Sequence, residues 1–202
     1  MSTYHHGNLR AALIEAAAEL ARSKGSDGVV LREVARRTGV SHNAAYRHFA
    51  DREALLAEVA ALAMDQLELA MNQRLGTVTT EDPVERARSA LREVGRAYVD
   101  FALAEPGLFE IAFAISKAPD EEPPDAGPYA LLGAVLDDLV GVGALPPARR
   151  DAAQILCWAS VHGFATLHLS GPLRAVPDEL REQSLMAVLD LVERGLLAPD
   201  PA

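Results

Sequence analysis

The residues best suited to chemistry lie in the stretch GVSHNAAYRHFADREALL, residues 39 to 56. Ser41, His42, Asn43 and Ala44 are short polar or small groups in consecutive positions, the kind of side chain that can approach base edges. An asparagine can bond bidentately to adenine, and an alanine methyl can pack on the methyl of thymine. Tyr46, Arg47 and His48 follow with groups that reach phosphate oxygens, contacts that fix register without reading sequence. Arg32, Arg36 and Arg37, just upstream, add positive charge.

Other combinations of reactive residues do not converge. Cys157 and His162 are five residues apart, about 140° around a helix, so they do not meet as nucleophile and base. His42 and His48 likewise diverge, which argues against a metal pair. The chain holds no P-loop, dinucleotide fingerprint, HExxH or GxSxG. Its single cysteine excludes an intrachain disulfide framework and a cysteine-clustered zinc site. No enzyme activity, cofactor or metal is expected.

The elements that must position these side chains are helices. Of 202 residues half are hydrophobic but only 5% aromatic, and Ala and Leu are abundant, which favours helices over strands. Asn8 can cap a helix whose Leu9, Leu13, Ala16 and Leu20 follow the spacing of one face, and Gly25 ends it. Two short helices are expected next, about Leu31–Thr38 and His42–Phe49, broken at Gly39. Gly39 is free to take positive φ, Val40 can plug the space between the helices, and the Ser41 hydroxyl can cap the second. The small Ala35 lets that second helix approach closely. This is the pattern of a helix-turn-helix, whose second helix lies in the DNA major groove. An ordinary helical hairpin is the plainer explanation, and the chemistry of residues 41 to 48 weighs against it.

The charge of the chain is uneven. The formal net charge is −10, yet residues 1 to 50 carry seven Lys/Arg and four Asp/Glu with four histidines besides. Only this first quarter suits a polyanion, and screening over roughly 8–10 Å hides an acidic remainder from a docked basic face.

From about His6 to Val59 the sequence resembles the DNA-binding domain of TetR-family transcriptional regulators. The resemblance lies in Arg32-Glu33, Ala35, Gly39-Val40-Ser41, Tyr46, His48-Phe49, Arg52-Glu53 and Leu55-Leu56. It implies that Arg32, Tyr46, His48 and Arg52 contact the DNA backbone while Ser41, His42, Asn43 and Ala44 face the bases. Two positions depart from the pattern. Arg52 stands where Lys is usual, which keeps a charge beside a phosphate, and Ala45 replaces a bulkier apolar residue, which implies lighter packing of the recognition helix.

Asp51 can cap a helix that runs to about Leu75 before Gly76, and Asp82 with Pro83 starts another that continues to Ala104. In a TetR-like protein the first of these transmits the ligand signal. After an EPG break and LFEIAFAISK comes APDEEPPDAGP, expected as a surface loop. Helices follow at about Tyr129–Val140, Pro147–Leu169 and Pro177–Leu197. The last two should form the dimer, through Leu156, Ala159, Ser160, Gly163 and Leu167 on one and Leu185, Val188, Leu189 and Val192 on the other. Trp158, His162 and Gly163, with the early YHHGNLR, resemble the TetR subgroup with a WHG-type C-terminal domain.

Trp158, His162 and Thr166 recur at i, i+4 and i+8, and with Tyr98, Phe101, Phe109 and Phe113 are expected to line a small-molecule cavity. Core packing is the competing use for aromatic side chains at this spacing. The acidic surroundings favour neutral or cationic ligands over anionic ones.

The expectation is an all-α protein of about nine helices, TetR-like. Residues 1–52 form a three-helix helix-turn-helix DNA-binding domain, and residues 53–202 a helical ligand-binding and dimerisation domain. The implied function is a ligand-released repressor that binds a palindromic double-stranded DNA operator as a homodimer and responds to a small-molecule effector. No segment reaches the roughly 18 apolar residues of a membrane span and the N-terminus lacks a long apolar run, so a cytoplasmic protein is expected. The rival class is a helical small-molecule-binding protein without DNA-binding activity, which would leave the basic first quarter unexplained.

Overall fold

Helices account for the fold of this computed structural model, which describes residues 9–114 and 126–197. Nine α-helices and no strand occur among the described residues. They are α1 (Leu9–Lys24), α2 (Leu31–Arg37), α3 (His42–Tyr46), α4 (Arg52–Leu75), α5 (Pro83–Ala104), α6 (Pro106–Ala114), α7 (Pro128–Gly141), α8 (Arg150–Leu169) and α9 (Asp178–Leu197). The Asn8 cap and most of the proline- and acid-rich segment lie outside the described residues. The chain forms two compact units, with α4 contributing its first half, to Met64, to one and its second half, from Asp65, to the other.

In the first unit the spacing of apolar residues on α1 buries Leu13, Ala17 and Leu20 completely, against Val34 and Ala35 of α2 and Leu55 and Val59 of α4. Each such leucine contributes about 1.5–3 kcal/mol when fully withdrawn from water. Gly39 sits at φ +71, the left-handed region that glycine enters without strain. Ala45 is fully buried, so the small residue on α3 faces the core. The helix that carries it is shorter than its pattern suggests. It stops at Tyr46, and a turn over Arg47 and His48 then delivers Phe49 to the core.

The first unit also takes in α6, which moves the division of the chain away from residue 52. Leu108, Ile111 and Ala112 join the core of α1 to α4. Glu105 accepts a hydrogen bond from Arg22 Nε at 2.9 Å, and Glu110 accepts one from the Ser26 hydroxyl at 2.8 Å. A Cβ on Gly107 would lie 2.1 Å from the Ala21 carbonyl oxygen, so only glycine lets α6 lie this close to the end of α1. The EPG sequence is thus a helix start and a docking point as well as a break.

The second unit is built on α5, which packs against α7, α8 and α9. Asp82 caps α5 through its carboxylate, which accepts from Glu85 N at 2.8 Å, and Pro83 takes the first helical position. The helix expected from Pro147 begins as a 3-10 turn over Pro147–Arg149 and becomes α-helical at Arg150. Along one edge of α5 a ladder of arginines meets α9. Glu193 accepts from Arg88 Nε at 2.6 Å and from Arg92 Nη1 at 2.5 Å, and Glu182 accepts from Arg96 Nη2 at 2.5 Å.

Candidate nucleic-acid interface

The turn between α2 and α3 is built by hydrogen bonds close in sequence. The Thr38 hydroxyl donates back to the Val34 and Ala35 carbonyls, and Val40 N donates to the Ala35 carbonyl at 3.0 Å. The Ser41 hydroxyl oxygen then accepts from Ala44 N at 3.2 Å, which starts α3. Ser41 is therefore the cap of the helix as well as a candidate contact.

Arg32, Ser41, His42, Asn43, Tyr46, Arg47 and His48 are all exposed. They are the side chains in this region that the core does not use. Tyr46 is 45% exposed, an unusual state for a ring on an otherwise well-packed unit. The His42 ring meets it edge-on, with centroids 4.5 Å apart, so the two hold each other in place along one side of α3. Ala44 is half-buried and packs against the core. Arg52, expected beside a phosphate, is half-buried and bonded within the unit. Its Nε donates to the Val29 carbonyl at 2.8 Å and its Nη2 to the Ser26 carbonyl at 2.7 Å, so it ties the start of α4 to the loop before α2.

The positive charge of α2 is smaller than a count of arginines suggests. Arg36 holds both oxygens of Glu33 at 2.7 and 2.8 Å, and Arg37 reaches the same carboxylate at 3.5 Å. The Arg36 guanidinium pulls the Glu33 carboxyl down from 4.5 to about 2. Arg32, on α2, and Arg47, just after α3, remain as exposed cations.

The second unit holds a partly open cavity of about 30 Å³ between α4, α5, α7, α8 and α9. Tyr98 and Trp158 border it as expected from sequence, with rings edge-on at 5.1 Å. His162 lies next to it, where its Nδ1 bonds the Tyr98 hydroxyl at 2.8 Å, and burial pushes its pKa below the usual value. The other expected residues are not brought there. Phe101 is buried elsewhere in the second unit, Thr166 is exposed on the outside of α8, and Phe109 and Phe113 meet with tilted rings, centroids 4.7 Å apart, in the first unit, because α6 folds onto α1. Aliphatic residues complete the wall, among them Leu91, Leu132, Val161 and Leu189. Their apolar type alone does not separate them from the rest of the core.

The outer faces of α8 and α9 carry exposed apolar side chains. Ile155 is 64% exposed, Leu191 63%, Leu180 51% and Leu156 47%. Gly163 and Gly195 have open space where a side chain would start. On α9 this outer face is not the one the sequence suggested. Leu185 and Leu189 are buried within the subunit and Val188 and Val192 border the cavity, so the exposed stripe runs instead through Leu180, Ala187 and Leu191, past the half-buried Ser184.

Residues 91–192 match the family described as tetracyclin repressor-like, C-terminal domain, and residues 13–59 match the bacterial regulatory proteins of the tetR family. The chain is 32% identical over 100 residues to the uncharacterized HTH-type transcriptional regulator YobS of Bacillus subtilis (strain 168). That match spans half of this chain and 49% of the relative's length. A solved structure of a protein with unknown function from Rhodococcus sp. RHA1 is 30% identical, covering 98% of this chain and all of that one, with a TM-score of 0.80. A variant of TetR from Acinetobacter baumannii AYE, solved in complex with minocycline, shares the fold at 19% identity, a TM-score of 0.64 and 96% coverage of each chain.

Proposed function

The chain belongs to the tetR family of bacterial regulatory proteins, and from that premise we propose that it is a DNA-binding transcription regulator. In detail, it is a repressor that grips a palindromic operator as a homodimer and is released by a small molecule. The observation that carries the reading is the exposed face of α3 and its following turn, where His42, Asn43, Tyr46, Arg47 and His48 stand clear of a core that fixes their helix through Ala45 and Phe49. Asn43 reads a base edge, and Tyr46, His48 and Arg32 bind phosphates. The family is one of regulators and not of enzymes.

One such helix offers too little surface for tight specific binding, so two copies are needed. The apolar outer faces of α8 and α9 supply the dimer contact, in which Ile155, Leu156 and Leu191 leave water. A two-fold dimer then sets its two α3 helices about 34–36 Å apart, one turn of DNA. The cavity of the second unit is the effector site. At about 30 Å³ it has room for roughly one or two waters, far below the roughly 300–1,000 Å³ of a typical small-molecule site. An effector must therefore enlarge it, and a ligand that prefers the enlarged state lowers DNA affinity by the same factor as DNA lowers its own binding. The minocycline complex of the Acinetobacter relative is a precedent for a small molecule in this fold.

The test is fluorescence anisotropy with a labelled duplex over a range of salt. Tyr46→Ala and His48→Ala should weaken binding to every sequence, whereas Asn43→Ala should cost roughly 1–3 kcal/mol at a single base position and leave the others unchanged. Equal affinity of all three variants and the parent chain for every duplex would sink the assignment.

A further inference from the structure

We propose that the cavity of the second unit takes a small, neutral, apolar molecule and rejects charged molecules of the same shape. The inference rests on the reading of this cavity as the effector site and narrows that reading to one class of ligand.

The wall carries the argument. Leu91, Val94, Leu132, Val161 and Val192 present hydrocarbon, and Tyr98 and Trp158 present aromatic rings. The polar groups on its border are already engaged. Arg92 gives Nη1 to Glu193 and Nη2 to Glu85 and Ser89. The Ser160 hydroxyl donates to the Leu156 carbonyl at 2.7 Å, and the Tyr98 hydroxyl pairs with His162 Nδ1. Cys157 also borders the cavity, and burial pushes its thiol up to about 11, so it is neutral there. A carboxylate brought inside would have to compete for Arg92 with Glu85 and with Glu193, which is itself almost completely buried. An ammonium group would meet Arg92 itself. Either ion would lose its water without gaining a counter-charge, while an uncharged ring loses nothing it needs.

Room comes from side chains that can turn. The tip of Leu189 sits where a side chain on residue 95 would begin, with its Cδ2 2.7 Å from the Cβ position of Gly95. Leu189 and the unbranched Met71 both border the cavity, and their rotation is the least costly way to admit one ring.

Trp158 is the one tryptophan of the chain and lies in the cavity wall, so its emission reports occupancy directly. The experiment titrates the full chain with toluene, benzoate and benzylamine, one ring that is neutral, anionic or cationic at pH 7. Toluene should shift the Trp158 emission saturably and bind roughly tenfold or more tightly than either ion. Leu132→Phe should fill the cavity and abolish the shift. Gly95→Ala is the second variant: its methyl takes the place of the Leu189 tip, the space that the ring needs, and because only the far end of a flexible side chain lies within 3 Å of it, the variant should weaken toluene without unfolding the chain, as circular dichroism would show. Benzoate or benzylamine saturating as tightly as toluene, with both variants blocking it, would overturn the ligand class and leave the cavity as the effector site. No saturable response to any of the three, in parent and variants alike, would overturn the ligand class together with the use of this cavity.

Discussion

Replacing Glu193 by glutamine removes the charge of one buried carboxylate with almost no change in volume. The side chain is 2% exposed and bonded to Arg88 at 2.6 Å and Arg92 at 2.5 Å, which joins α9 to α5. Removing one partner of a fully buried pair costs about 3–5 kcal/mol, because the other charge is left without compensation. The cost here is smaller, since the two arginine side chains are 38% and 29% exposed and Arg92 keeps Glu85. We expect about 2 kcal/mol for Glu193→Gln, or a fall in Tm of roughly 4–8 °C for a chain of this length. Calorimetry at pH 7 and fixed protomer concentration measures it, since any dimer contact makes Tm concentration-dependent. The same substitution in an Arg92→Met background should cost clearly less, with a coupling of at least about 0.5 kcal/mol. A Tm within about 1 °C of the parent chain, or additive effects in the double variant, would refute the idea that this carboxylate fastens α9.

Three further outcomes are expected. Gly107→Ala should destabilise the first unit by about 2–3 kcal/mol or more, seen in urea unfolding, because its methyl would collide with the Ala21 carbonyl oxygen 2.1 Å away and α6 would have to shift. Leu191→Glu should give a monomer by analytical ultracentrifugation with unchanged helix content, because this residue is 63% exposed and outside the subunit core; a persistent dimer would place the interface elsewhere. The Glu33 carboxyl should titrate near 2 in an NMR pH series and return toward 4.5 in Arg36→Gln. Its folded value is depressed, so the contribution of the pair is present above about 4.5 and disappears as pH falls through about 2; a midpoint near 4.5 in the parent chain would contradict the pairing.

What could be seen in the sequence was local. The spacing of Leu9, Leu13, Ala16 and Leu20, the glycine at 39 and the capping serine at 41 specify α1 and the turn by interactions within a few residues, and these elements formed as expected. What could not be seen depends on distant partners. Phe109 and Phe113 have the composition of a cavity wall, and the docking of α6 on α1, through Gly107 against Ala21 and the burial of Leu108 and Ile111, sends them to the first unit. α9 carries two apolar stripes on different sides, one through Leu185 and Leu189 and one through Leu180 and Leu191, so periodicity does not say which faces inward. The inward side is marked by Glu193, whose two arginines are 101 and 105 positions away in the chain. Arg52 shows the same limit, since the carbonyls that hold it belong to a loop 23 and 26 residues earlier.

Selection of bound sequences from random duplex DNA by the purified protein, repeated at two salt concentrations, tests whether the chain reads DNA sequence as a two-fold dimer. The expected result is enrichment of a palindrome whose half-sites are one helical turn apart, with affinity that falls as salt rises. Enrichment of no sequence at either concentration would contradict it, and would leave a helical protein whose exposed α3 face binds something other than DNA.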